Sequence, residues 1–393
     1  MRKVLLAYGY QQGTTPFYYE RALRKLSTLT TAGPSIDVQH KLDFPLPSLA
    51  PLLEVIQKVN PDLLLLFPEG KNFFPQDLEK ITIPKILILS DLFISFHWHQ
   101  DYAHLFDLVF ITQRKYIKKL QKKGIKHVFW LPNACDLELH QQIPLRRIYD
   151  VGFVGTINPW HNPRRSFYLE LIKKNFHSCI KTNLWGRAMS RVYSQSKIVF
   201  NINGAGDLNM RVFEALSCGA LLLTDRPVDS IDLLFQEGEH FISYRSPSGM
   251  LNKINFYLQN YKQAQKIASQ GQKLVREKHT YLQRVQQIFN TLDANKKIKI
   301  LPPSETKILL LKTYLKLNYP FLEKEIQKLK NELQKSKLKS KEQLIFLLLS
   351  LFSRLKPNYR QRFIQFYKRL RKEYLLELRN WIYYQFKWQR LKK

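Results

Sequence analysis

Short, nearly uninterrupted apolar runs alternate with helix-forming stretches along the first three quarters of the chain, and this alternation constrains the fold more than any other feature. Lys3–Tyr8 (KVLLAY) reads as a buried strand, with Gly9 and Gly13 in the loop after it. Phe17–Leu29 reads as a helix. Further strands are expected at Asp62–Phe67, Lys85–Ser90, Leu108–Thr112 and His127–Leu131, punctuated by Pro61, Pro68, Pro84 and Pro132. Lys115–Lys123 reads as a basic helix between two of them. Runs apolar at consecutive positions have no solvent face, so they belong in a parallel sheet covered by helices on both sides.

The alternation pauses at Asn133–Arg147, which contains Pro144 and reads as a linker, and then restarts. Asp150–Gly155 (DVGFVG) is a strand entering a glycine turn, and Arg165–Asn175 a helix. Strands are expected at Thr182–Trp185, Ile198–Ile202 and Ala220–Thr224. Met210–Ser217 is a helix closed by Gly219. Helices follow at Val228–Phe235, Leu251–Asn260, Tyr261–Lys278 and Tyr281–Leu292. The fold class this predicts is α/β, with two tandem Rossmann-like domains at 1–145 and 146–295 and a helical extension at 296–393. No internal repeat interrupts that reading.

Composition narrows the classes further. At 393 residues with 45% hydrophobic and 13% aromatic side chains, the chain can bury sizeable cores, which excludes a wholly disordered protein. Three scattered cysteines, Cys135, Cys179 and Cys218, suit neither a disulfide framework nor a zinc cage and predict a reducing, cytoplasmic setting. The apolar stretch after Met1-Arg2-Lys3 is too short for a signal peptide. Leu344–Phe352 falls well short of the roughly 20 residues a spanning helix needs. The net charge of +32 is uneven: residues 296–393 hold 26 Lys/Arg against 7 Asp/Glu. That concentration marks a module with a task of its own.

Three constellations could carry chemistry. The first runs from Asp207 to Asp225, as loop, helix, glycine turn and strand. Gly204 and Gly206 let backbone approach a ligand at a helix start, where anions are favoured. Asp207 and Asn209 stand at that start. Arg211 on the first turn can pair with a phosphate. Glu214, three residues on and on the same face, can accept two hydrogen bonds from a ribose diol. An ordinary amphipathic helix with Arg and Glu at its boundary is the competing reading. The second constellation is Gly155-Thr156 with Arg164 and Arg165, where a glycine turn passes beside a pyrophosphate and two arginines neutralise it. Its competitor is a solvated basic helix start. The third is Asp91 with His97, Trp98 and His99, after the Lys85–Ser90 strand. Asp91 or His97 could act as general base or bind an acceptor, and Trp98 could stack on a sugar. A purely structural role competes here too. The spacing of His97, His99 and His104 does not suit a metal site, and none is expected.

The block Ser196–Asn203 with Arg211–Asp225 resembles glycosyltransferases of the two-Rossmann GT-B fold in the group-1 superfamily, and more closely their spore-maturation CgeB-like branch. Asp107–Thr112, Leu131-Pro132-Asn133-Ala134, Asp150–Thr156 and Trp185-Gly186 extend the resemblance in register to about Leu292. It implies an enzyme that takes a sugar from a nucleotide-sugar donor, with no cofactor and no metal, and mostly with retention of configuration. The donor would sit on the second domain and the acceptor on the first. Glu214 matches the position that holds the nucleotide ribose. Many superfamily members carry another acid eight positions earlier, which here is Gly206, with Asp207 one place away; Arg211 then takes over contact with diphosphate or sugar. Basic residues at Arg164 and Arg165 would stabilise the leaving diphosphate, and Gly9 and Gly13, after the first strand, could approach the donor from the other domain.

The tail adds a partner. Residues 296–393, in which Arg354–Lys393 carries 13 basic and 2 acidic residues interleaved with aromatics, have the make-up of a module lying on an anionic membrane surface. A nucleic-acid contact is less favoured, because no recognised motif appears. A helical extension packed on the enzyme is the third reading. The sequence therefore predicts a cytoplasmic glycosyltransferase of hexosyltransferase type, peripheral on the inner face of the membrane, acting in polysaccharide biosynthesis on a glycan, lipid-linked or protein acceptor. A noncatalytic scaffold of the same fold, binding an anionic membrane or nucleic acid through its tail, is the alternative.

Overall fold

A computed structural model describes residues 1–34, 38–41, 48–50, 52–68, 73–75, 78–158, 162–204, 206–295, 301–317 and 322–336. The first apolar run forms β1 (Lys3–Tyr8), buried at every position after Lys3. It leads through α1 (Thr15–Leu26) to β2 (Thr28–Gly33). The expected helix to Leu29 therefore stops earlier, because Thr28, Thr30 and Thr31 prefer the extended chain. Then follow β3 (His40–Lys41), β4 (Ser48–Ala50), α2 (Leu52–Val59), β5 (Leu63–Phe67), β6 (Phe73–Pro75), β7 (Lys85–Leu89), α3 (Leu92–Tyr102), β8 (Leu108–Ile111), α4 (Ile117–Gln121) and β9 (Val128–Trp130).

Seven of these strands form one sheet in the order β3-β2-β1-β5-β7-β8-β9, with parallel pairing throughout. Leu5 faces Thr30 on one side and Leu64 on the other. The chain leaves β1 in one direction and returns beside it in the other, so the topological switch lies between β1 and β5. The strands β4 and β6 pair separately.

The alternation resumes with β10 (Tyr149–Val154), α5 (Pro163–Asn175), β11 (Ser178–Lys181), α6 (Gly186–Ser194), β12 (Ser196–Asn201), α7 (Met210–Ser217), β13 (Leu221–Asp225), β14 (Ile242–Tyr244), α8 (Pro247–Gln259), α9 (Tyr261–Lys278) and α10 (Tyr281–Ala294). The second sheet is also parallel, in the order β11-β10-β12-β13-β14. Its switch point lies between β10 and β12. The expected strand at Thr182–Trp185 is displaced to β11, since Asn183 takes a left-handed conformation (φ 54°) that ends the extended run. The expected helix at Val228–Phe235 shrinks to one tight turn at Ile231–Leu233. The strand at Ile242–Tyr244 was not anticipated; its buried run is only three residues long. The expected α/β class with two Rossmann-like sheets is the observed one.

The chain divides into two compact units. Of the described residues, the first comprises those within 1–11, 20–131 and 288–336, and the second those within 12–19 and 132–287. This differs from the expected division at 145 and 295. Cys135 explains the first difference: its N–H donates to His279 O, and its carbonyl accepts from Tyr281 N–H, so the linker is already built into the second unit. The second difference comes from α11 (Pro303–Leu317) and α12 (Glu323–Lys335). Their Leu311, Leu315, Ile326 and Leu333 are buried in the same core as Leu87, Leu92 and Tyr102. Lys316 pairs with Asp101 at the end of α3. The beginning of the expected tail is thus part of the first unit, and the aromatic-rich Arg354–Lys393 stretch lies outside the described residues. Among the described residues no helix is long and apolar enough to cross a membrane.

Candidate active site

The second sheet places its chain reversal beside the carboxyl ends of β10 and β12, and side chains with hydrogen-bonding capacity converge there. Gly155 follows β10 directly. A Cβ on it would run into the Arg211 guanidinium, far inside van der Waals contact, and would stand 3.2 Å from Phe153 Cζ. Arg211, on the first turn of α7, is fixed by its surroundings. Its Nε donates to Val154 O at 2.9 Å and its Nη1 to Asn201 Oδ1 at 2.8 Å, while the guanidinium lies 4.3 Å above the Phe153 ring.

Asn201 is the hub of this floor. Its Oδ1 also accepts from Asn209 Nδ2 at 3.1 Å, and its own Nδ2 donates to Thr224 Oγ1 at 2.9 Å. Asn209 occupies the cap position of α7 with extended backbone, but its side chain makes no cap hydrogen bond because it turns to Asn201. Its Oδ1 is buried and unpartnered. The first-turn amides of α7 thus keep no side-chain acceptor from Asn209. Asp207 lies half-buried in the preceding turn, where its N–H donates to Gly204 O.

The start of α5 supplies the second layer of charge. Asn162 caps it by accepting from Arg165 N–H at 3.0 Å, and Pro163 stands at the first helical position. Arg165 Nη1 donates to Thr156 O at 2.9 Å, and its buried Nε has no partner. Burial, and then the neighbouring Arg211, push the Arg165 guanidinium down to about 10, so it stays charged at neutral pH. Arg164 faces elsewhere, pairing with the buried Asp225 at 2.7 Å. Asp225 also accepts from Asn203 N–H at 3.0 Å. Of the two arginines expected to meet a diphosphate, Arg165 reaches the floor and Arg164 is committed to Asp225. Thr156 is exposed and offers its carbonyl to Arg165.

Glu214 lies one turn deeper on α7 and is buried. Burial pushes its carboxyl up to about 7, against the opposing pull of Arg211. His140 Nε2 is 3.9 Å from its Oε1. Gly13 belongs to the second unit and takes a left-handed conformation (φ 78°); a Cβ there would be 2.5 Å from Trp185 Cβ. Thr15 Oγ1 meets the sulfur of Met210, the first residue of α7, at 3.3 Å. Together these contacts lay the Gly13 loop over the α7 start. The second sheet therefore gathers Gly13, Gly155, Thr156, Arg165, Asn209, Arg211 and Glu214, with Asp207 in the adjoining turn.

Sequence reasoning missed Asn201, Asn203 and His140. Asn201 and Asn203 bracket Ile202 where β12 ends, and two polar residues closing an apolar run were the available signal. No local signal marks His140, because its role depends on a helix more than seventy residues away.

The remaining expected residues lie in the first unit. Gly9 is buried directly after β1, the strand flanking that sheet's switch point. Asp91 precedes α3 in a left-handed conformation (φ 46°), is exposed, and makes no cap hydrogen bond. His97 is half-buried on α3, six residues on, so helical periodicity turns the two to different faces. Trp98 corrects an expectation: it is 5% exposed and packs edge-on against Phe74 and His99 in the core, so it cannot stack on a sugar. His99 is fully buried, and burial followed by the charge of His97 holds it well below the ordinary imidazole range.

Residues 138–290, which carry every second-unit site residue except Gly13, match the glycosyl transferase-like family of the group-1 type. The fold is that of GT-B glycosyltransferases. HepE from Anabaena, solved with UDP-glucose, aligns over 75% of this chain and all of its own, with 14% identity and a TM-score of 0.55. Sucrose-phosphate synthase from Thermosynechococcus elongatus aligns over 75% and 100%, with 11% identity and a TM-score of 0.54. A glycosyltransferase from Rickettsia africae aligns over 75% and 98%, with 9% identity and a TM-score of 0.54. None of the curated proteins matches the chain significantly.

Proposed function

We propose that the second unit binds a nucleoside-diphosphate sugar and that the protein is a glycosyltransferase, transferring a hexose to a glycan, lipid-linked or protein acceptor. The observation that carries this reading is the pair Arg165 and Arg211 on the floor between β10 and β12. The two guanidiniums repel each other, and the carboxylate at the end of β13, Asp225, is already claimed by Arg164. A diphosphate seated at the α7 start relieves that repulsion and meets Arg165 Nε and the first-turn amides. Glu214, further along the same helix, is placed to accept the ribose hydroxyls. UDP is the first nucleotide to try, because HepE was solved with UDP-glucose.

Transfer breaks the bond between the anomeric carbon and the diphosphate oxygen. Negative charge grows on the departing diphosphate, and the fixed cations and helix-end amides stabilise it without reorganising. The sugar is then passed to an acceptor hydroxyl, whose proton must be taken up. Asp91 and His97 remain proposed candidates for the acceptor side. Retention of configuration, absence of a metal, and work on envelope polysaccharide at the membrane's inner face belong to the same proposal.

Calorimetric titration of UDP, GDP, CDP and their sugar conjugates tests it. Micromolar binding of one nucleotide is expected, weakened about tenfold or more in Arg165→Ala and in Glu214→Ala, as loss of a charged hydrogen bond implies. Absence of binding by every nucleotide to folded protein overturns the donor site.

A further inference from the structure

The imidazole of His140 is held more firmly than packing alone requires. His140 is fully buried. Its ring Nδ1 accepts the Asp136 backbone N–H at 3.1 Å. An acceptor at Nδ1 leaves the proton of neutral imidazole on Nε2, and protonating Nδ1 would set two donors against each other. The backbone of the turn is held with equal care. Asp136 Oδ1 accepts from Glu138 N–H at 2.9 Å and Leu139 N–H at 3.0 Å, and His140 N–H donates to Asp136 O at 2.8 Å. The His140 carbonyl accepts from the Ser217 hydroxyl on α7 and from Arg276 Nη1 at 3.4 Å. Tyr18 closes one side of the ring, edge-on at 4.6 Å between centroids. The turn is thereby tied to the helix that carries Glu214, and Nε2 stands 3.9 Å from Glu214 Oε1.

We infer that His140 is a positioning residue: it presents a fixed Nε2–H to one oxygen of Glu214 and so keeps the carboxylate turned toward the ribose diol of a bound nucleotide. The inference rests on the donor-site reading above. A carboxylate with one oxygen oriented by a buried donor loses fewer rotamers on binding a diol, and its charge is partly met before the ligand arrives. The separation of 3.9 Å is longer than a hydrogen bond, so in the free protein the Nε2–H acts on the carboxylate as a nearby dipole. Discrimination between ribose and a sugar lacking both hydroxyls is the property this arrangement serves.

The test compares full-length wild type, His140→Phe and His140→Gln in titrations with UDP, 2′,3′-dideoxy-UDP and inorganic pyrophosphate. Glutamine can place an amide N–H near the position of Nε2, whereas phenylalanine keeps the ring and loses the donor. Wild type is expected to prefer UDP over the dideoxy form by about tenfold or more, the factor for one charged hydrogen bond. His140→Phe should lose most of that preference while holding its pyrophosphate affinity, and His140→Gln should regain it. An unchanged preference in His140→Phe overturns the inference while leaving the donor site standing. Equal losses for UDP, dideoxy-UDP and pyrophosphate also overturn it, because they show a purely structural role. Failure of UDP and pyrophosphate to bind wild type removes the donor site, and the inference with it.

Discussion

A carboxylic acid near pH 7 with a guanidinium three residues away on the same helix should make nucleotide binding exchange a proton. Burial holds the Glu214 carboxyl at about 7 in the free protein, and Arg211 opposes the shift. The other groups whose charge it senses or affects are His140, Tyr18, Tyr193, Tyr281 and Cys218. Ribose hydroxyls donate to the ionised form and so lower its pKa. Below pH 7 binding must then release a proton, and affinity should rise with pH and level off above about 7. Titration at pH 6 in buffers of different ionisation enthalpy should show this release, and Glu214→Gln should abolish it. The same burial acts on stability. Because the folded pKa lies above the unfolded one, the contribution of the buried acid is complete below the unfolded pKa and is lost as pH rises through about 7. Glu214→Gln should therefore raise stability at pH 8 by on the order of 2 kcal/mol and leave it little changed at pH 4, as read by denaturant melts.

At the scale of elements, the turn after β10 and the first turn of α7 act as one piece. Gly155 admits the Arg211 guanidinium, and the guanidinium in turn ties Val154 O to Asn201. Gly155→Ala should push Arg211 off the floor. Nucleotide affinity is then expected to fall about tenfold or more, while the melting temperature drops only modestly, since the hydrophobic core beneath is untouched. Equal affinity in Gly155→Ala would show that the guanidinium's place does not matter. This coupling could be read only in halves from the sequence. DVGFVG announces a strand and a glycine turn, and the run from Met210 to Gly219 announces a helix with its stop. The α7 boundaries match because helical periodicity and a closing glycine agree there. Asn201 could not be foreseen as the hub, since its partners Asn209, Arg211 and Thr224 lie on two other elements. Trp98 misled for the converse reason: an aromatic after a strand end resembles a ligand platform until Phe74 is seen against it. The expected helix overruns Thr28 and Leu29, the start of β2, because Ser27–Thr30 offers no break except β-branching.

For the molecule as a whole, charge and core divide the C-terminal quarter differently. The +19 carried by residues 296–393 suggests a detachable module, yet α11 and α12 bury Leu311, Ile326 and Leu333 in the core of the first unit. Removing everything after residue 295 would strip these apolar side chains from that core and expose Leu87 and Leu92. Each large buried side chain lost costs about 2–5 kcal/mol, so such a truncation should unfold the first unit rather than report on the tail. Truncation after Ser336 keeps both helices and still removes the basic, aromatic-rich Arg354–Lys393 stretch. If that stretch holds the protein on a membrane, full-length protein should float with phosphatidylserine vesicles at low salt, and the 1–336 chain should float much less. Each cation near an anionic surface contributes about 1 kcal/mol, so loss of several of them changes partitioning by orders of magnitude. Binding should fall steeply as salt shortens the Debye length and vanish on neutral vesicles. Equal flotation of the two chains would move the membrane contact, if one exists, away from the C-terminus. The exposed lysines Lys118, Lys119, Lys122, Lys123 and Lys126 beside α4 would then be the next positions to neutralise.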